Sequence, residues 1–259
     1  MEQKYKLMKV PNIDFEERKK MVITEELSTE RRLRLATSVD LTTSFDFIYD
    51  QGRLNACVAN TCAWSFKYWK RGFEPSRLFI YYNARLIDQK NGYGNVKKDE
   101  GTYTISGFKS LKKYGVCGGS VWPYWYKRYS RRPRPLCYRR GKKHMLTQYS
   151  NVPQTLYYMR SYLSEGYPFC ISLLIYSSFY SNVGGVIPYP NTSSDVLLGA
   201  HAVVIVGYDD TTQLFKFANS WSRSFGDNGY GYLPYSYLVN SYLVYELYVM
   251  LKTKNKQRI

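Results

Sequence analysis

Histidine is nearly absent from this sequence: the 259-residue chain carries two, His144 and His201. That leaves very few imidazoles for acid–base work near neutral pH, and no His-rich tract that would point to a metal centre. Long apolar runs are missing as well. No stretch approaches the roughly 20 apolar residues that a bilayer-spanning helix needs. The first nine residues, Met1 to Lys9, carry charge where a secretory leader has its apolar stretch, so export by that route is not expected. The five cysteines are an odd number, which fits free thiols in a reducing compartment, with a single disulfide as the alternative. Internal repeats and zinc-finger, RRM or helix-turn-helix signatures are also lacking.

What is present is a globular composition. Hydrophobic residues make up 44% and aromatics 17% of the chain, which excludes disorder. The length allows one large domain or two lobes sharing a cleft. A net charge of +17 attracts nucleic acid, anionic membranes or acidic substrates, and equally serves plain solubility. Its densest run lies between Tyr126 and His144, where two prolines, Pro133 and Pro135, argue for an exposed loop with interleaved tyrosines. That composition fits a nucleic-acid or acidic-partner contact and also a merely solvated loop.

Three segments follow in order. Residues 1–36 are charged and poor in aromatics, and Asp14 and Glu17 have capping-box spacing before Met21, Val22, Ile23 and Leu27, so a short amphipathic helix is expected there. The composition break after it reads as a short pro-segment, a cleft-covering strap or a fixed extension. Residues 37–148 are helical in pattern: a helix from Cys57 to about Tyr68 with Asn55 as candidate N-cap, a second over 78–87 behind Pro75-Ser76, and a third over 103–114 closed by Gly115. Residues 149–259 change character, with a helix over 154–165 and then strands over 169–175, 202–207, 214–218, 229–233 and 242–247. Helices first and antiparallel strands later give an α+β protein of two lobes.

The candidate chemistry centres on Cys57. A thiol at a helix N-terminus meets the positive end of the helix dipole, which favours the reactive thiolate. An isolated cysteine, however, more often packs as a small hydrophobe. The distant partners decide between these. His201 stands at the mouth of a predicted buried strand, flanked by Gly199, Ala200 and Ala202, whereas His144 lies in the basic run and is expected at the surface. Eighteen positions after His201 come Asn219, Ser220 and Trp221. In a Cys-His-Asn arrangement the imidazole takes the thiol proton, the amide fixes its tautomer, and the aromatic shields that bond.

These motifs resemble the papain-like cysteine peptidases, the papain and cathepsin family. The likeness runs from about Ser38 onward: Gln51-Gly52 before Cys57, Gly199-Ala200-His201-Ala202 before Val206-Gly207-Tyr208, and Asn219-Ser220-Trp221 before Gly226-Asp227-Asn228-Gly229-Tyr230. Tyr114-Gly115-Val116-Cys117, Trp122-Pro123-Tyr124 and the 78–85 helix resemble a bacterial and viral branch. The resemblance implies a papain-like fold, a helical lobe and a β-barrel-like lobe with the cleft between them. It also implies peptide hydrolysis without a cofactor or metal, as endopeptidase or exopeptidase: Cys57 as nucleophile, His201 as base, Asn219 as orienter, Gln51 as oxyanion donor and Trp221 in support. Residues 184–196 and the vicinity of Ser241 are expected to line the cleft. The alternatives are a silent papain-fold binding protein acting through the basic loop, and a thiol acyltransferase or isopeptidase. Two departures stand out. Leu54 replaces the family's upstream disulfide cysteine, which fits a reducing compartment, and Ser222 and Phe225 stand where Gly and Trp are common.

Overall fold

The computed structural model describes residues 5–9 and 35–253. The expected helix around Met21–Leu27 lies outside the described residues. In chain order the elements are β1 (Ser38–Asp40), α1 (Cys57–Trp69), α2 (Arg77–Lys90), α3 (Thr104–Tyr114), α4 (Pro135–Gly141), β2 (Leu146–Asn151), α5 (Leu156–Ser164), β3 (Phe169–Tyr176), β4 (Leu197–Asp209), β5 (Leu214–Ala218), β6 (Tyr230–Pro234), α6 (Tyr235–Val239) and β7 (Val244–Thr253). This is the expected mixture of helices and antiparallel sheet. The strands run β2-β7-β3-β4-β5-β6 with β1 added beside β4, an open path rather than a closed barrel among the described residues.

Local sequence explains the helices that hold the site. Ser76 caps α2: its Oγ accepts from the Phe79 N–H at 3.2 Å and donates to the Trp122 carbonyl at 2.6 Å. At the end of α3 the chain turns at Gly115, with φ +67. A Cβ there would come within 2.0 Å of the Gly141 carbonyl oxygen, so only glycine lets α4 close on this turn. The basic stretch is more ordered than a loop, because Pro135 sits in the first turn of α4, where its missing N–H costs nothing.

Two cores flank the sheet. Along β4, Ala200, Ala202, Val204 and Val206 join the core shared with α1 to α3, while Val203 and Ile205 join the second core, which includes Met159 and Leu163 of α5. This alternation is the period-2 signature of a strand buried on both faces. Gly107 of α3 lets the helices approach α1: a Cβ there would meet Cys62 Sγ at 2.6 Å and Val58 Cγ1 at 2.9 Å. Gly107→Ala is therefore expected to destabilise the fold by about 1–2 kcal/mol, since overpacking of up to about 3 kcal/mol exceeds the roughly 1 kcal/mol that alanine gains in a helix. Urea denaturation measures this, and an unchanged or higher midpoint contradicts it.

Candidate active site

Cys57 is the first residue of α1 and is fully buried. Asn55 is not the cap. Its backbone N–H donates to Asp99 Oδ1 at 3.0 Å and its Nδ2 to the Asp99 carbonyl at 2.6 Å, so Ala56 takes the N-cap position without a side-chain cap. Asp99 outcompetes the helix for Asn55, and the backbone N–H groups of the first turn are left facing the thiol. Four residues on, Thr61 Oγ1 donates to the Ala202 carbonyl at 3.1 Å. That bond fixes the start of α1 against the histidine's strand.

His201 and Asn219 meet through strand register. Val204 on β4 pairs with Ala218 on β5, so the next position, Asn219, falls opposite Val203 and on the sheet face that His201 shares. The result is a His201 Nε2 to Asn219 Oδ1 bond of 2.8 Å. An amide oxygen can only accept, and this one also accepts from the Ser220 N–H at 2.8 Å, so Nε2 carries the proton. Nδ1 is left buried with no hydrogen-bond partner. Trp221 covers the pair, its ring centroid 4.5 Å from that of His201. Phe225 meets Trp221 edge-on at 5.5 Å, and Ser222 adopts φ +64, the conformation that a glycine would take most easily.

Gln51 joins the same network. Its Nε2 donates to the Leu54 carbonyl at 2.9 Å and to the Lys6 carbonyl at 3.3 Å, while its Oε1 accepts from Ser220 Oγ at 2.7 Å. Ser220 thus links the Gln51 and Asn219 amides. Sequence reading quoted Ser220 only as part of a motif and gave it no role.

Residues 5–9 lie across this centre. The Tyr5 ring stacks on Trp221 with centroids 5.4 Å apart, and its hydroxyl donates to the Trp221 carbonyl at 2.8 Å. Met8 and Ala200 exchange backbone bonds of 2.8 and 2.9 Å as an antiparallel bridge. Lys6 pairs with Asp99 at 3.2 Å and Lys9 with Glu100 at 3.1 Å. Both His201 and Cys57 are 0% exposed. Burial pushes the Cys57 thiol up to about 12, against backbone hydrogen bonds from Ala202, Val58 and Cys57 itself that lower it. Burial likewise pushes His201 down to about 4, against the Asn219 bond that raises it. Burial thus favours a neutral thiol on Cys57 and a neutral imidazole on His201 at neutral pH, and no hydrogen bond joins His201 Nδ1 to the thiol.

Beside the site is a pocket of about 300 Å³ lined by Met8, Asp88, Glu100, Gly101, Tyr103 and Glu246, among others. Glu246 is fully buried and accepts from the Thr104 and Ile105 N–H groups at 2.9 and 3.2 Å. Burial raises its carboxyl, and also that of Asp88. The stretches 184–196 and around Ser241, expected to line the cleft, do not line this pocket. His144, expected at the surface, is half-buried with its ring stacked 3.9 Å from Phe73. The one sequence signal for the pocket was an acid standing alone between Tyr245 and Leu247 in an otherwise apolar strand.

The start of the helix that carries Cys57 is thus bonded to the strand that carries His201, and His201 is held by Asn219 under Trp221. Residues 38–243 match the family model described as papain family cysteine protease. The chain belongs to that family. An uncharacterised peptidase C1-like protein of Acanthamoeba polyphaga mimivirus is 29% identical over 202 residues, 71% of this chain; the chain spans 63% of the length of that relative. Xylellain, a cysteine protease from Xylella fastidiosa, is 32% identical with a TM-score of 0.79, covering 96% of this chain and 98% of its own. A Carica candamarcensis cysteine protease shares the fold at 17% identity and a TM-score of 0.58, covering 77% of this chain and 89% of its own. Among the described residues no helix is long and apolar enough to cross a membrane.

Proposed function

We propose that the chain hydrolyses peptide bonds of peptide or protein substrates through an acyl-enzyme on Cys57. The observation that carries this reading is the His201–Asn219 bond under Trp221, which leaves the imidazole Nδ1 unpartnered and able to accept a proton. In the open site His201 takes the Cys57 proton, and the thiolate adds to the substrate carbonyl. The proton then passes to the leaving amine as the C–N bond breaks and a thioester remains. Water, losing a proton to His201, attacks the thioester; the acid leaves and the Cys57 thiol is restored. Asn219 keeps the ring oriented throughout, and Trp221 keeps water from that bond.

Gln51 is assigned to the oxyanion. One of its Nε2 hydrogens is fixed on Leu54, and the other points at the Lys6 carbonyl, which stands in for a substrate carbonyl. Gln51→Ala is expected to lower kcat on the order of a hundredfold with little change in KM, because the donor acts on charge that develops in the transition state. Fluorogenic peptide kinetics check this; an effect on KM alone would argue against the role.

Residues 5–9 are assigned as an autoinhibitory strap. Their backbone pairs with the Ala200 edge, Met8 enters the pocket, and Tyr5 covers Trp221, so an extended substrate has no free edge there. All five cysteines are free thiols, a state suited to a reducing compartment.

A further inference from the structure

The peptidase reading leaves the largest charge feature of the chain unused. From Gly101 to Ser164 there is no aspartate or glutamate, although the chain has 20, and the same stretch holds thirteen lysines and arginines. Surfaces that serve solubility intersperse both signs, and one sign alone repels itself. Among the described ion pairs only Arg160 comes from this stretch, paired with Asp210.

The fold gathers these cations. Val116 donates to the His144 carbonyl at 2.9 Å, and the Gly115–Gly141 contact joins the end of α3 to the end of α4. Lys112 and Lys113 are thereby brought beside the α4 region that carries Arg139, Arg140, Lys142 and Lys143, all of them exposed. Lys70, at the end of α1, lies over the Phe73 ring at 5.7 Å, and Phe73 stacks on His144. The field is felt locally: burial lowers His144, and Lys70 and Lys143 lower it further. Two helix C-termini favour a few cations by their dipoles, but their negative ends amount to about half a charge each, far fewer than the cations present.

The same stretch holds out aromatic surface. Trp125 is 62% exposed and Tyr126 49%, and the Arg128 guanidinium lies 4.6 Å from the Trp125 ring centroid. An exposed tryptophan has no solubility value. Flat rings beside guanidinium groups are what unpaired bases stack on, whereas an acidic protein or a duplex needs charge alone.

We infer that this stretch of the helical lobe binds single-stranded nucleic acid, with phosphates on the cations of α4 and the following turn and a base on Trp125. None of these residues belongs to the Cys57–His201 centre. The aromatic end of the stretch runs up to that centre, because Tyr124, next to Trp125, donates its hydroxyl to the Gln51 carbonyl at 2.9 Å.

The test uses the full-length chain and a fluorescent 20-nucleotide oligo-dT, read by anisotropy between 50 and 200 mM salt. If about six phosphates are neutralised, the logarithm of affinity falls with the logarithm of salt at a slope of about −4. Replacing Arg139, Arg140, Lys142 and Lys143 together by glutamine is expected to flatten the slope to about −1.5. Trp125→Ala is expected to weaken binding by about 5- to 100-fold and leave the slope unchanged, the loss of one stacked base. Both variants should hydrolyse a peptide at the native rate, which shows that they are folded. If either does not, acetylation of the native chain replaces it: oligo-dT should protect Lys142 and Lys143 and leave the exposed Lys90 reactive. Four results overturn the inference: no binding at 50 mM salt, a quadruple variant that binds as well as the native chain, a duplex bound as tightly as oligo-dT with no Trp125 effect, or polyglutamate competing as well as oligo-dT.

Discussion

Cys57→Ala is expected to bring peptide hydrolysis down to the uncatalysed background, and His201→Ala to cost nearly as much, on the order of a 10⁴- to 10⁶-fold loss in kcat. The two side chains act as one unit. Without the thiol there is no acyl-enzyme, and without the imidazole the thiol loses its assigned base. The double variant should therefore be no slower than either single one. Asn219→Ala should cost much less, because the ring keeps its stacking against Trp221 and loses only the bond that fixes its tautomer. Stopped assays on a fluorogenic peptide, with circular dichroism to verify folding, measure all four variants. A His201→Ala enzyme within tenfold of the native rate is incompatible with the proposed pair.

Met8→Asp is expected to activate the enzyme by roughly a hundredfold at neutral pH. Burial of a methionine contributes about 1.5–3 kcal/mol, and each 1.4 kcal/mol is a factor of ten in the closed-to-open ratio. The new carboxylate would also enter a pocket that already holds Asp88, Glu100 and Glu246. Acid should act in the same direction. His201 is held near 4 while covered, against its ordinary value of 6.5, so below pH 6.5 the open form binds a proton that the closed form does not. The closed form's advantage is complete above pH 6.5 and is eroded as pH falls toward 4, by up to about 3 kcal/mol. The native chain should therefore show a lag that shortens between pH 6.5 and 4, and Met8→Asp should show none. High salt should shorten the lag slightly, because the Lys6–Asp99 and Lys9–Glu100 pairs are partly exposed and screened. A Met8→Asp enzyme that folds and is no faster than the native chain removes the strap from the account.

The parts of this architecture that sequence made legible are those with local causes. Ser76 as a cap, Gly115 as a stop and the continuous apolar run of β3 each act within a few residues, and each element forms where they place it. The ends that moved have distant causes. Asn55 had the right chemistry for an N-cap but was drawn away by Asp99, a residue 44 positions along the chain. β1, three residues long, exists only because β4 offers it an edge, with Val39 opposite Tyr208. In the candidate site, Cys57, His201, Asn219, Gln51 and Trp221 could be named because their spacing resembled a known pattern. Ser220 as a link, Asp99 as an anchor and Glu246 in a pocket could not, since each takes its part through contacts across more than 40 residues of sequence. The protonation of the centre depends on distant contacts in the same way: the helix dipole is visible in sequence, whereas the burial that raises the Cys57 thiol is not.

The most direct test of the central claim is to treat the native chain with a short peptide carrying a thiol-reactive electrophile and to locate the label by mass mapping. Modification of Cys57 alone is expected, faster in Met8→Asp than in the native chain and absent in His201→Ala. The other four cysteines, Cys62, Cys117, Cys137 and Cys170, are buried and should stay unlabelled. Labelling of any of those four in preference to Cys57, or labelling of Cys57 that does not depend on His201, would contradict it.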